Sequence, residues 1–136
     1  MNKIVFITGA NSGIGLACAR KFAANGDKLI LTGRNATRLS DISAELKAKG
    51  TEVYTIKLDV RNREAAQEAI EGLPEVWRNI DVLVNNAGLA LGLEPEYEGS
   101  FDDWDGMIDT NIKGLLTMTR LIVPQMIERN SGHIIN

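Results

Sequence analysis

The chain has 136 residues, 44% of them hydrophobic and 24% charged, with a formal net charge of −3. That balance suits one water-facing domain with a single buried core, and it offers neither the basic stripe of a nucleic-acid partner nor an apolar run near the ~20 residues that cross a bilayer. One cysteine cannot make an internal disulfide, and with the single histidine it offers no metal cluster.

Residues 4–8 form a first apolar run, rich in Val and Ile, as expected of a parallel strand covered on both faces. The chain enters it directly, without a basic stretch, apolar stretch and cleavage site in that order. A cytoplasmic protein is the simplest expectation. Thr8-Gly9-Ala10-Asn11-Ser12-Gly13-Ile14-Gly15 follows this run and opens a helical pattern over residues 13–25. That is where an open α/β sheet binds nucleotides. Gly9 suits a sharp turn, Gly13 a close backbone approach to pyrophosphate, and Gly15 close packing of helix on sheet. Asn11, Ser12 and Ile14 complete the loop, and the helix N-terminus presents free N–H groups to phosphate. The spacing is GxxxGxG, and no lysine follows as a P-loop requires. Ile14, Cys18 and Phe22 recur as one apolar stripe, so Cys18 is expected on a buried helix face. Gly26 can close the helix.

The second strand, residues 28–32, ends in Gly33-Arg34-Asn35. An acid at this strand end would accept hydrogen bonds from a ribose 2′-hydroxyl, whereas glycine followed by arginine suits a 2′-phosphate. A charge-assisted contact is worth about 1.5–3 kcal/mol, roughly ten- to a hundred-fold in favour of NADP over NAD. Arg38, one turn on, reads as a solvated arginine or a second phosphate contact. Asn35 is the expected N-cap of a helix over 36–48, with Leu39, Ile42 and Leu46 on one stripe and Gly50 as its stop.

A third strand, 53–58, leads to Asp59-Val60, and a helix over 63–72 ends at Pro74. Asp59 can accept from an adenine amino group or serve as a turn or cap residue. The fourth strand, 80–84, runs into Asn85-Asn86-Ala87-Gly88, whose small residues let backbone come close to a ligand. Residues 101–129 read as two helices, with Pro124 kinking or loosening the last turns. Asn111 stands polar within this apolar stretch. Residues 133–135 read as a fifth strand, which His133 opens. Strand and helix alternate throughout, which predicts a doubly wound parallel α/β sheet.

These motifs resemble the short-chain dehydrogenase/reductase family. The loop fits its TGxxxGxG, Asp59-Val60 its adenine contact, Asn85 to Gly88 its NNAG, and Asn111 its active-site asparagine. The resemblance implies a Rossmann-type sheet in the order 3-2-1-4-5, here truncated after the fifth strand, with residues 1–136 as the NADP-binding part of a single-domain enzyme. It implies cofactor contacts from Gly9, Asn11, Ser12, Gly13, Ile14 and Gly15, from Arg34 and Asn35, from Asp59 and Val60, and from Asn86, Ala87 and Gly88. It gives Asn111 a bend in its helix and a water in a proton relay. The stretch Asn85 to Gly92, Glu94-Pro95, Trp104 and Met107 to Asn111 looks like the NADP-dependent 3-hydroxy acid (serine) dehydrogenase subgroup, which implies a small hydroxy acid as substrate.

The family's chemistry also uses a serine and a YxxxK pair. Tyr54 is followed by lysine three residues on, at Lys57, and Tyr97 has no lysine near it. The 136 residues alone are therefore expected to be inactive. An oxidoreductase active when the remaining part is present is the first reading. A non-catalytic NADP-binding module is the second, and a scaffold that binds no nucleotide the third. The family also implies a homo-oligomer, dimer or tetramer, with no nucleic-acid or membrane partner.

Overall fold

The structure, a computed structural model, describes every residue except Met1, Ala90 and Leu93. Five parallel strands form one sheet in the order β3-β2-β1-β4-β5. They are β1 (Ile4–Ile7), β2 (Lys28–Gly33), β3 (Val53–Lys57), β4 (Val82–Val84) and β5 (His133–Ile135). The sheet has the expected order, and β3 and β5 are its edges.

Each of the first four strands feeds a helix or loop that returns over the sheet. The helices are α1 (Gly13–Ala24), α2 (Ala36–Ala48), α3 (Arg63–Glu71), α4 (Phe101–Ile108) and α5 (Leu115–Glu128). Asparagines start two of them. Asn35 Oδ1 accepts from the Arg38 N–H at 3.1 Å and Asn62 Oδ1 from the Ala65 N–H at 3.0 Å, satisfying donors that a helix start leaves free. Gly26 and Gly50 follow α1 and α2 with φ of 85° and 90°, the left-handed turn that glycine makes at least cost.

Alternation along the strands splits the core in two. Val5, Ile7, Leu29, Leu31 and Val53 face α1 and α2, packing with Ala19, Leu39, Ile42 and Leu46. Ile4, Phe6, Ile30 and Leu83 face the other side, against Ala66 of α3 and Met118, Ile122 and Met126 of α5. A sheet buried on both faces explains why its sequence reads as continuous apolar runs.

Three expectations are adjusted. Ile14 is 75% exposed; the buried positions of α1 are Gly15 and Ala19, and Cys18 is only partly buried. The small residues face the sheet because α1 packs too close to admit an isoleucine. The stretch 101–129 is two helices, but they run together through a π-helical segment, Asp109–Gly114. Pro124 lies inside α5, which continues to Glu128, anchored by buried Met126 beyond the proline. Among the described residues no helix is long and apolar enough to cross a membrane.

A cleft at the carboxyl ends of the strands

The ends of β1, β2, β3 and β4 surround a cleft of about 980 Å³. Its walls include Gly9, Asn11, Ser12, Gly13 and Ile14 from the glycine loop, and Arg34 and Asn35 from the end of β2. Asp59 and Val60 come from the end of β3, and Asn86, Ala87 and Gly88 from the end of β4. Twelve of the fourteen residues singled out from sequence thus line one space. Gly15 and Asn111 stand outside its walls. Lys57, Leu58, Ala36, Thr37 and Thr110 also line it, and sequence reasoning did not single them out.

The glycines fix the loop. Gly9 has φ 61°, and a Cβ there would sit 3.0 Å from Ala87 Cα. A Cβ on Gly15 would fall on the Gly9 carbonyl and 2.5 Å from Asn86 Nδ2, so helix, loop and β4 meet where only a hydrogen fits. Gly13 differs. Its φ is 55° and no atom lies within 4 Å of its Cβ position. Here glycine keeps open space at the start of α1, on the side facing the cleft. Ser12, the N-cap residue, makes no side-chain capping bond, so its hydroxyl remains available there.

Thr8, missed from sequence, ties the loop to β4. Its side chain is buried, and its Oγ1 accepts from the Asn86 and Ala87 N–H groups at 3.0 and 2.9 Å. It donates to the Val84 carbonyl at 3.4 Å. Asn86 Nδ2 then donates to the Gly9 carbonyl at 3.1 Å. A threonine opening the glycine motif at a strand end was the available signal. Asn85 joins β4 to α5 and β5, donating to Thr119 Oγ1 and Asn136 Oδ1, each at 3.1 Å; its Oδ1 is buried without a partner among the described residues.

The second wall carries charge. Among the described residues Arg34 makes no hydrogen bond or salt bridge, which leaves its guanidinium donors open to an anion, while its charge helps to lower the Asp59 carboxyl. A Cβ on Gly33 would lie 3.1 Å from Asn11 Cγ, so an acid at position 33 would displace Asn11 as well as repel phosphate. Arg38 is exposed, as expected of a solvated arginine, and its Nε also donates to the Asn11 carbonyl at 2.9 Å, latching the glycine loop to the first turn of α2.

Asp59 makes both a turn and an ion pair. Its Oδ1 accepts from the Arg61 N–H at 3.0 Å, and its carboxylate takes Arg61 Nη2 at 2.6 Å and Nε at 3.0 and 3.1 Å. The Arg61 side-chain hydrogen bonds hold the Asp59 carboxyl below the usual carboxylate range, against a burial effect in the other direction.

Asn111 lies in the π-helical segment. Its Oδ1 accepts from the Leu89 N–H and its Nδ2 donates to the Leu89 carbonyl, both at 2.8 Å. The amide thus fastens the loop after β4 to the α4–α5 corner. A π segment also leaves backbone groups out of the regular helical ladder, which is common at functional sites. Of the 3-hydroxy-acid-like motif, Ala90 lies outside the described residues.

The arrangement fits a dinucleotide: an open helix start, a backbone-lined floor, an unpaired arginine and a carboxylate held ionised. Comparison with known proteins agrees. The family model described as short chain dehydrogenase matches residues 3–136. The NADP-dependent 3-hydroxy acid dehydrogenase YdfG of Salmonella typhi is 57% identical over 133 residues, covering 98% of this chain and 52% of that protein. A crystal structure of serine dehydrogenase from Escherichia coli superposes with a TM-score of 0.93 at 53% identity, over 98% of this chain and 60% of that one. The closed form of serine dehydrogenase complexed with NADP+ gives the same TM-score and identity, over 98% and 52%. The chain spans about half the length of the curated relatives it matches.

Proposed function

The chain belongs to the short-chain dehydrogenase family, and from that premise we propose that its cleft binds NADP in the oxidoreduction of a small 3-hydroxy acid such as serine. The carrying observation is the end of β2, where Gly33 leaves no acid and Arg34 stands unpaired in the cleft wall. The substrate class rests on the likeness to the 3-hydroxy acid dehydrogenase.

Each part of the chain has a task in this reading. The start of α1, with Ser12 and Gly13, receives the pyrophosphate through N–H groups and the helix dipole. Arg34 takes the 2′-phosphate in paired hydrogen bonds. Asp59, kept ionised by Arg61, accepts from the adenine amino group while Val60 packs against the ring. Thr8 and Asn86 hold Ala87 and Gly88 against the ribose. When bound, NADP supplies hydride exchange between an alcohol and a carbonyl. Asn111 holds the corner beside the reacting end, where a water in a proton relay sits.

Residues 1–136 act as the nucleotide-binding part of the enzyme, and on their own they do not turn over, since neither tyrosine stands four residues before a lysine. The working protein is a homo-oligomer.

Calorimetry on this chain tests the reading. Arg34→Ala is expected to weaken NADP about ten- to a hundred-fold and to leave NAD nearly unchanged. Equal weakening of both would refute the 2′-phosphate role. Serine oxidation by the 136 residues alone would refute the assignment of the acid–base pair to residues outside them.

A further inference from the structure

We propose that Lys57 is a second specificity-determining residue, whose ammonium binds the 2′-phosphate of NADP opposite Arg34. The inference rests on the NADP reading above and extends it to a residue on a different strand.

The register places it. β2 and β3 are parallel, with Gly33 and Lys57 as Cα partners at their carboxyl ends. Side chains of paired residues in parallel strands leave the sheet on the same face. Tyr54 and Ile56 pack against the α3–α5 core, so alternation sends Lys57 to the other face, with Val53, Leu29 and Leu31. That face carries the first turn of α2, and Gly33 adds no side chain between Lys57 and the mouth of the cleft. Lys57 is exposed and lines the same cleft as Arg34, Asn35 and Thr37.

Charge pairing leaves it available. The carboxylate nearest in the chain and in the cleft wall, Asp59, is taken by Arg61 at 2.6 Å. Among the described residues Lys57 makes no ion pair or hydrogen bond through its ammonium. The cleft therefore has two cations without a salt bridge among the described residues, Arg34 and Lys57, on adjacent strand ends, with Arg34 acting on Asp59 only through its charge. NADP differs from NAD by one phosphate, which carries the charge to meet both. A long flexible lysine reaches a phosphate as a point charge while arginine takes it as a fork, so the two contacts are compatible on one group.

The test measures NADP, NAD and adenosine 2′,5′-bisphosphate binding to the unaltered chain and to Lys57→Ala, Lys57→Arg and Arg34→Ala. Lys57→Ala is expected to weaken NADP and the bisphosphate on the order of tenfold and NAD less than twofold. Its loss should shrink as salt rises and screens the contact. Lys57→Arg, which keeps the charge, is expected to restore most of the NADP affinity. Equal weakening of NADP and NAD by Lys57→Ala would assign Lys57 a structural role and overturn the proposal, as would no weakening of either. If Arg34→Ala is selective and Lys57→Ala is not, Lys57 alone fails. If the unaltered chain shows no NADP binding, or no preference for it over NAD, the reading beneath the proposal fails with it.

Discussion

Asp59 lies two residues before the arginine that grips it, and this spacing lets one carboxylate close a turn and form an ion pair together. The sequence pointed to Asp59 as either a ligand contact or a turn residue, and the structure shows the turn. Its Oδ atoms face Arg61, yet the residue lines the cleft. Arg61 itself was not legible, because a charged residue after a strand is usually a solvated one. The consequence is a titration shift. The folded-state carboxyl is held below its ordinary value chiefly by Arg61. The pair therefore stabilises the fold above the unfolded carboxyl value of about 3.9, and this stabilisation is lost as pH falls through the lower folded value. Arg61→Gln is expected to move the Asp59 midpoint upward, read by carboxyl chemical shifts in an NMR titration. The variant is also expected to lose less stability than the parent between pH 7 and pH 3. An unmoved midpoint would show that burial and the turn, not Arg61, set the charge state.

Among the elements, regular helices and strands follow directly from sequence. Asn35 before α2 and Gly50 after it bracket the helix that periodicity predicts. What periodicity misses is the change of helical hydrogen-bonding between α4 and α5. A π segment keeps the side chains turning almost as an α-helix does, so the apolar pattern runs on through it. The polar Asn111 was the visible sign. Its amide pairs with both backbone groups of Leu89, so it positions a loop rather than only bending a helix. Each such bond is worth about 0.5–1.5 kcal/mol net, toward the lower end where the side chain is exposed. Asn111→Ala is expected to cost roughly 1–2 kcal/mol by urea denaturation. It is also expected to speed hydrogen exchange at the Leu89 amide more than at Val84 in the neighbouring strand. Equal change at both amides would mean that the loop and β4 open together. The same logic covers Arg38, whose bond to Asn11 joins two elements 27 residues apart and leaves no periodic trace.

At the scale of the molecule, two-sided burial was legible because it depends on a pattern repeated in every unit, whereas the strand order came from the family resemblance. Phe6 and Ile7 lie side by side on β1, yet one is fully buried under α5 and the other under α1. The cleft forms where these two cores end together, so its walls are rigid only as far as the sheet is. Ligand binding then feeds back on the whole fold. A ligand at about 100 times its Kd adds about 2.7 kcal/mol to the native state. For a chain of this size, roughly 4 °C per kcal/mol gives a rise in Tm on the order of 10 °C. NADP is expected to raise Tm by that amount in calorimetric scans. At the same concentration, an Arg34→Ala chain bound ten- to a hundred-fold more weakly should keep only about 0.4–1.4 kcal/mol of that gain. Its shift should fall to about half or less, while the smaller shift with NAD stays alike in both proteins. Identical NADP shifts in the two proteins would separate the stabilisation from the 2′-phosphate and place it in the glycine loop alone.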